Sequence, residues 1–474
     1  MKKNIHKADD SADFVCDKPS EECAVFGVSF AKKESSQTVP NAALTVYYGL
    51  LSLQHRGQES SGIATLNKGH IELTKGLGHV TETFSYKSFE KLKKSCVSIG
   101  HTRYSSEGVY TAKDAGPFAA DYLTGRVAVS HNGSITNSAN LKGQLAKMGV
   151  NFDSTCDSEV IARLIGYKIT KLKSTVDGVI RAASLLKGAF SLVIATGKGR
   201  LIAVRDPNGY RPLCIGKNEN GLAVASESCA LDICGFEWLK DVAPGEVVVI
   251  ENGKIARTEY LKNSDKKNGL CIFEFIYFAR PDSTIDGQGV YAARYNAGKI
   301  LATEHPAPTA DIVCAVPDSG LAAAAGFADA SGIPISTGFI KNRYVGRSFI
   351  YPTQELREIA VRVKLNPVSA NIKGKSIVLI DDSIVRGTTI KKTVAVLKKA
   401  GAREIHLRIS SPPFKHICRY GTDIHNEDKL IANKMDLDGI AKFVGADSLG
   451  YISLDGLKKA CSDCNLPFCT ACFK

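Results

Sequence analysis

The alternation of apolar and polar positions changes rhythm once along this chain. From Cys23 to about Gly253 short apolar runs recur, and Ala24–Phe30, Val127–Ser130, Phe190–Ala195, Leu201–Arg205, Leu222–Ser226 and Val247–Glu251 read as strands. Helical spacing appears at Ala42–Leu53, Asp157–Lys168 and Val176–Leu186. Strands in runs with helices in blocks predict antiparallel sheets covered by helices. After the polar stretch Thr258–Gly269, which reads as a linker, strand and helix alternate. The series is Ile312–Val316, Leu321–Ala330, Ile335–Ile340, Ile377–Ile380, a helix ending at Ala400, and Ile405–Ile409. That order predicts a parallel α/β sheet. The polar, basic connection Lys341–Lys375 between two of its strands reads as an active-site lid or an insert.

Ile377–Ile380 is continuously apolar, as in a strand buried on both faces, and runs straight into Asp381 and Asp382. A small-residue loop, Ser383–Thr389, then opens a helix with Ile390, Val394 and Leu397 on one face. Unpaired amides and the dipole at a helix start favour phosphate, while paired acids suit ribose hydroxyls or Mg²⁺. The bland alternative is an acidic αβ turn. The segment resembles the phosphoribosylpyrophosphate (PRPP) loop of type I phosphoribosyltransferases. The resemblance implies that Asp381 and Asp382 face ribose and metal, and that Arg386, Gly387, Thr388 and Thr389 cradle the 5-phosphate.

At 474 residues the chain is expected to hold two domains and a tail. Its 44% hydrophobic and 23% charged residues are ordinary for a globular protein, and no apolar run is long enough to span a bilayer. The first 22 residues lack the apolar centre of a secretory signal. A cytoplasmic protein is expected. The net charge of +13 comes from scattered basic residues rather than one stripe, which argues for an anionic small substrate and against nucleic acid. Of the 14 cysteines, Cys214, Cys229, Cys234 and Cys314 sit in apolar runs and read as core.

Cys23 alone would read as a buried strand cysteine. Its company changes that reading: LQHRGQESSG, GHTRYSSEG, SHNGSI and CDSEVI follow in order. Together they resemble the glutaminase domain of class II, N-terminal-nucleophile amidotransferases, a layered αββα fold. The resemblance implies that residues 1–22 are a propeptide and that Cys23 is the nucleophile, its free α-amine taking the thiol proton. Asn132 and Gly133 would supply the oxyanion hole, while Arg103 grips the glutamine carboxylate and Asp157 its ammonium. A helix N-cap is the plainer role for Asp157. Position 24 is Ala where that family usually has Gly.

A glutaminase at 23–258 followed by a phosphoribosyltransferase at 270–450 resembles the amidophosphoribosyltransferases, which move ammonia from glutamine to C1 of PRPP. RDPNGYRPL, IYFARPDS, VPDSG and KNRYVGRSFI match as well. By that resemblance Ser319, Asp381 and Asp382 hold one Mg²⁺ per subunit, and Lys341, Arg343 and Arg347 belong to a loop that closes over pyrophosphate. The tail 451–474 carries two C-x-x-C pairs, Cys461/Cys464 and Cys469/Cys472, whose spacing alone suggests a zinc knuckle. The propeptide-bearing members imply a [4Fe–4S] cluster instead, one per subunit, on Cys271, Cys418, Cys469 and Cys472. The family further implies a homotetramer and feedback inhibition by purine nucleotides. The rival reading is a PRPP-binding regulatory protein without amidotransferase activity.

Overall fold

Cys23–Phe30 is buried at all eight positions because it is the central strand of a seven-stranded sheet. Antiparallel neighbours flank it: Val97–Arg103 on one side and Gly221–Ala225 on the other. A six-stranded sheet containing Gly125–Ile135, Gly188–Thr196 and Arg200–Arg205 packs face to face with it. Val25, Ile99, Ala128, Val193 and Val248 fill the space between the two. The outer face of the first sheet is covered by the helix Ala42–Ser52, and that of the second by Asp157–Leu172 and Thr175–Ala183. This is the expected αββα layering. The structure, a computed structural model, describes residues 23–31, 41–91, 95–104, 111–261, 269–342, 365–422, 424 and 426–474. The 1–22 segment, Arg343 and Arg347 lie outside the described residues.

The second half is a parallel sheet of Ile312–Ala315, Ser376–Asp381, Glu404–Ile409 and Ser448–Tyr451, in that spatial order. Both of its faces are apolar, as the unbroken runs require. Val313, Val378 and Ile380 pack towards the helices Val290–Glu304, Leu321–Ser331 and Leu454–Ala460. Cys314, Ile377 and Leu379 pack towards Thr388–Lys399 and Leu437–Val444.

Three expectations need correction. Ile335–Ile340 is not a sheet strand: it makes one parallel bridge, Ile335 to Val313, at the sheet edge, where Ile335 is exposed. The chain then turns away, and Phe339–Lys341 pairs with Leu365–Pro367. The linker begins later than the polar composition suggests, because Lys254–Tyr260 is an edge strand whose side chains mostly face solvent. Within the tail, Leu457, Ala460 and Cys461 are buried in the second-half core. Finally, Cys234 is only half-buried, while Cys214, Cys229 and Cys314 are buried as expected.

Candidate functional site

Cys23, buried at the first position of its strand, stands opposite Arg103 in the ladder. Two residues back from Arg103, His101 bonds through Nε2 to the carbonyl of His131 at 2.9 Å. Burial, helped by the charge of Arg103, pushes His101 down to about 3, so its ring is neutral and Nε2–H is the donor. That bond fixes the peptide leading into Asn132. Asn132 is fully buried, and neither oxygen nor nitrogen of its amide has a hydrogen-bond partner among the described residues. An unpaired buried amide costs about 1–3 kcal/mol, which a ligand oxygen placed there would offset.

Arg103 Nη1 donates to Cys156 Sγ, and Cys156 in turn points at Asp157 Oδ1 at 3.7 Å. Arg103 and Asp157 therefore flank Cys156, a cation on one side and an anion on the other. The helix is capped by Cys156, not Asp157, whose Oδ2 instead accepts from the Ile135 amide at 3.1 Å. The plainer N-cap role for Asp157 is thus replaced by a tie to the strand that carries Asn132 and Gly133.

In the second half, Asp381 ends its buried strand and Asp382 follows, both essentially unexposed. Ser319 Oγ donates to one oxygen of Asp382 and Ser383 Oγ to the other. Ser319 reaches that far because the Val316 amide donates to the Ile380 carbonyl at 2.8 Å, holding the VPDSG turn on the strand end. Lys341 pairs with Asp318 at 2.5 Å. Gly387, at φ +80°, is the cap of the helix Thr388–Lys399, and Arg386, Thr388 and Thr389 surround it. Buried acids beside hydroxyls and a helix start are hard oxygen donors suited to Mg²⁺ with phosphate.

Cys271, Cys418, Cys469 and Cys472 line one cavity of about 160 Å³. Leu270–Cys271 and Phe468–Cys469 form a parallel two-residue ladder with the cysteines in register. The Cys472 carbonyl accepts the amides of Lys415 at 2.9 Å and His416 at 3.2 Å. Burial pushes the Cys271, Cys469 and Cys472 thiols up, and the neighbouring thiols push them further. Among the described residues no three potential ligands converge on a point as a single ion requires. Space of this size exceeds the share of one water, about 30 Å³, several times over, so it suits a multi-atom inorganic core. An all-thiol donor set fits an iron–sulfur cluster. Cys461 and Cys464 do not line this cavity.

Sequence reasoning missed the junction between the halves. Arg56 of the first half, fully buried, donates to Glu227 through Nη1 and to both oxygens of Glu274 through Nη2 at 2.9 and 3.0 Å. Glu227 also receives His55 Nε2 at 2.7 Å, Ser283 Oγ at 2.6 Å and the Arg280 amide at 2.8 Å. Burial raises the Glu227 carboxyl, but the His55 and Arg56 charges outweigh it and hold it well below the usual carboxylate range. The available signal was one acid inside an apolar run, Glu274 in CIFEFIYF.

A family model described as a glutamine amidotransferase domain matches residues 101–232, and one described as a phosphoribosyl transferase domain matches 292–430. The amidophosphoribosyltransferase of Methanocaldococcus jannaschii is 43% identical, over 95% of this chain and 96% of that protein. The Synechocystis amidophosphoribosyltransferase is 44% identical, over 96% and 91%. A solved structure of the allosteric regulatory enzyme of purine biosynthesis superposes with a TM-score of 0.87 at 42% identity, covering 95% of both chains. That of the glutamine PRPP amidotransferase from B. subtilis, complexed with ADP and GMP, gives 0.86 at 41%, covering 95% of this chain and 96% of that one. With a glutaminase sandwich joined to a phosphoribosyltransferase sheet, the chain belongs to the amidophosphoribosyltransferase family, enzymes that convert glutamine, water and PRPP to 5-phosphoribosylamine, glutamate and pyrophosphate at the first committed step of purine synthesis.

Proposed function

We propose that Cys23, exposed as the N-terminal residue by removal of residues 1–22, is the glutaminase nucleophile. The Cys23 Sγ attacks the side-chain amide carbon of glutamine while its proton passes to the α-amine. Ammonia leaves, a thioester remains, and water releases glutamate. Arg103 holds the substrate carboxylate and Asp157 its ammonium; Asn132 and the Gly133 amide receive the developing oxyanion, each donor contributing about 3 kcal/mol of barrier lowering. The observation that carries this reading is the fully buried amide of Asn132, without a hydrogen-bond partner among the described residues, on a strand tied to both Arg103's strand and Asp157.

At the second site ammonia attacks C1 of PRPP and pyrophosphate departs. Asp381 and Asp382 would face the ribose, and Arg386, Gly387, Thr388 and Thr389 the 5-phosphate. Lys341, with Arg343 and Arg347, would meet the pyrophosphate. Ser319, Asp381 and Asp382 would hold Mg²⁺, which neutralises the leaving group's charge. Cys271, Cys418, Cys469 and Cys472 would hold a [4Fe–4S] cluster whose part is structural, stapling the start of the second half to its end. We assign the enzyme to the cytoplasm, as a homotetramer inhibited by purine nucleotides; among the described residues no helix is long and apolar enough to cross a membrane.

The test is mass spectrometry of active protein combined with Cys23→Ala. The active form should begin at Cys23, and Cys23→Ala should abolish glutamine-dependent synthesis while ammonia-dependent synthesis continues. Active protein that retains Met1, or a variant with full glutamine-dependent activity, refutes the assignment.

A further inference from the structure

One short path runs from the cysteine cavity to the strand carrying Asn132 and Gly133. Cys418 and Tyr420 both line the cavity, and the Tyr420 amide donates to Cys418 Sγ at 3.4 Å. The Tyr420 ring stacks on Tyr210 with centroids 4.3 Å apart. Its carbonyl accepts from Arg211 Nη2 at 3.1 Å. Gly421 comes next, at φ +102°, where a Cβ would lie 3.3 Å from the Gly133 carbonyl carbon and 3.1 Å from Arg211 Nη2. The Tyr420–Gly421 peptide therefore rests against the backbone of Gly133.

Arg211 holds both sides of that contact. Its side chain is buried, with Nη1 3.4 Å from Glu274 and the guanidinium 5.5 Å above the Phe278 ring. Its carbonyl accepts Ser191 Oγ at 3.1 Å and Arg205 Nε at 2.8 Å. Ser191 stands opposite Asn132 in the ladder, and Phe190 opposite Gly133. The backbone of Arg211 thus anchors the strand beside the two residues, while its guanidinium anchors the loop packed on them.

We propose that Arg211 is a positioning residue for glutamine hydrolysis: it clamps the Tyr420–Gly421 peptide onto Gly133 and so sets where the oxyanion donors lie. The inference rests on the roles proposed for Asn132 and Gly133. Such donors act only when held within about 0.5 Å of their working geometry. A displacement of about 1 Å lowers a rate about 100-fold. A planar, multiply donating guanidinium can hold a carbonyl and a carboxylate in fixed directions at once, which a lysine ammonium does not.

The test uses the full chain with Arg211→Met, Arg211→Lys and Gly421→Ala, the last adding a Cβ at a positive φ without touching the guanidinium. Kinetics with glutamine, kinetics with ammonia, and iron content are measured for each. The expected result for Arg211→Met and Gly421→Ala is a fall of about ten-fold or more in kcat with glutamine. KM for glutamine should stay within about two-fold, because Arg103 and Asp157 are not disturbed, and ammonia-dependent rate and iron content should match the parent. Arg211→Lys should recover only part of the loss. An unchanged glutamine kcat overturns the proposal, as does a parallel fall with glutamine and ammonia. Loss of iron together with glutamine kcat also overturns it, since Arg211 would then act by maintaining the cavity. If Arg211→Met does not accumulate, Gly421→Ala decides by the same split. Failure of the underlying reading appears separately, as an Asn132→Ala enzyme with the parent glutamine kcat.

Discussion

Replacing Asn132 by Ala should damage the reaction and spare the fold, an unusual pairing for a fully buried polar residue. Most buried polar truncations break a hydrogen bond and lose stability. Here the amide has no partner among the described residues, so none is broken. Removing an unsatisfied buried amide recovers about 1–3 kcal/mol. The packing lost is equivalent to one or two methylene groups at about 0.8 kcal/mol each. The difference runs from about −0.6 to about 2.2 kcal/mol in favour of the variant, a melting temperature within a few degrees of the parent's or raised by a few degrees. The barrier to glutamine hydrolysis should rise by about 3 kcal/mol, a 100- to 1,000-fold loss in kcat. Thermal unfolding without substrate, paired with glutaminase kinetics on the same preparation, reads both quantities. A variant that melts about 5 °C or more below the parent would show that the amide is bonded in the folded protein, and undiminished kcat would remove Asn132 from the oxyanion site.

Three further outcomes are expected. Burial, with the charge of Asp286 adding to it, raises the Asp241 carboxyl to about 7. A group raised in the folded state stabilises fully below its unfolded value, about 3.9, and that contribution fades as pH climbs to about 7. Asp241→Asn cannot ionise, so its melting temperature should exceed the parent's at pH 8 and converge with it near pH 4; a gap that widens on acidification refutes the argument. Gly387→Val places a Cβ 2.7 Å from Ile431 Cδ1 at φ +80°, so PRPP-dependent synthesis should fall at least ten-fold with either nitrogen source while glutaminase chemistry at Cys23 persists. Equal PRPP saturation in parent and variant would count against the phosphate cradle. Cys418→Ser should yield protein depleted of iron, whereas Cys461→Ser, a core substitution outside the cavity, should retain about four irons per chain. Stoichiometric zinc in the parent would refute the cluster.

Much of this architecture is legible along the chain because each signal is local. Ile377–Ile380 reads as a doubly buried strand, and Asp381 to Thr389 as its turn into a helix, since the strand, acids and helix start are contiguous. The four cavity cysteines could be grouped only by resemblance, yet they face one space. Elements whose pattern is weak escaped notice. The helix Val290–Glu304 buries Ala293, Ala297 and even Arg294, so its inner face carries little apolar contrast. Lys254–Tyr260 is polar because it is an edge, and an edge strand looks like a linker when only hydropathy is read. The roles of Arg56 and Arg211 were invisible for another reason. Their partners Glu274 and Tyr420 lie 218 and 209 positions away, and nothing local marks a charge as destined for burial.

The Arg56–Glu274 pairing also governs what can be recombined. A chimera that joins this glutaminase to a foreign acceptor domain would take away one of the two buried carboxylates that Arg56 holds and leave it Glu227 alone. The reciprocal graft would strand the carboxylate. A successful exchange must therefore supply a basic partner for Glu274 across the splice, since Arg56 and Glu274 pair although they sit in different domains.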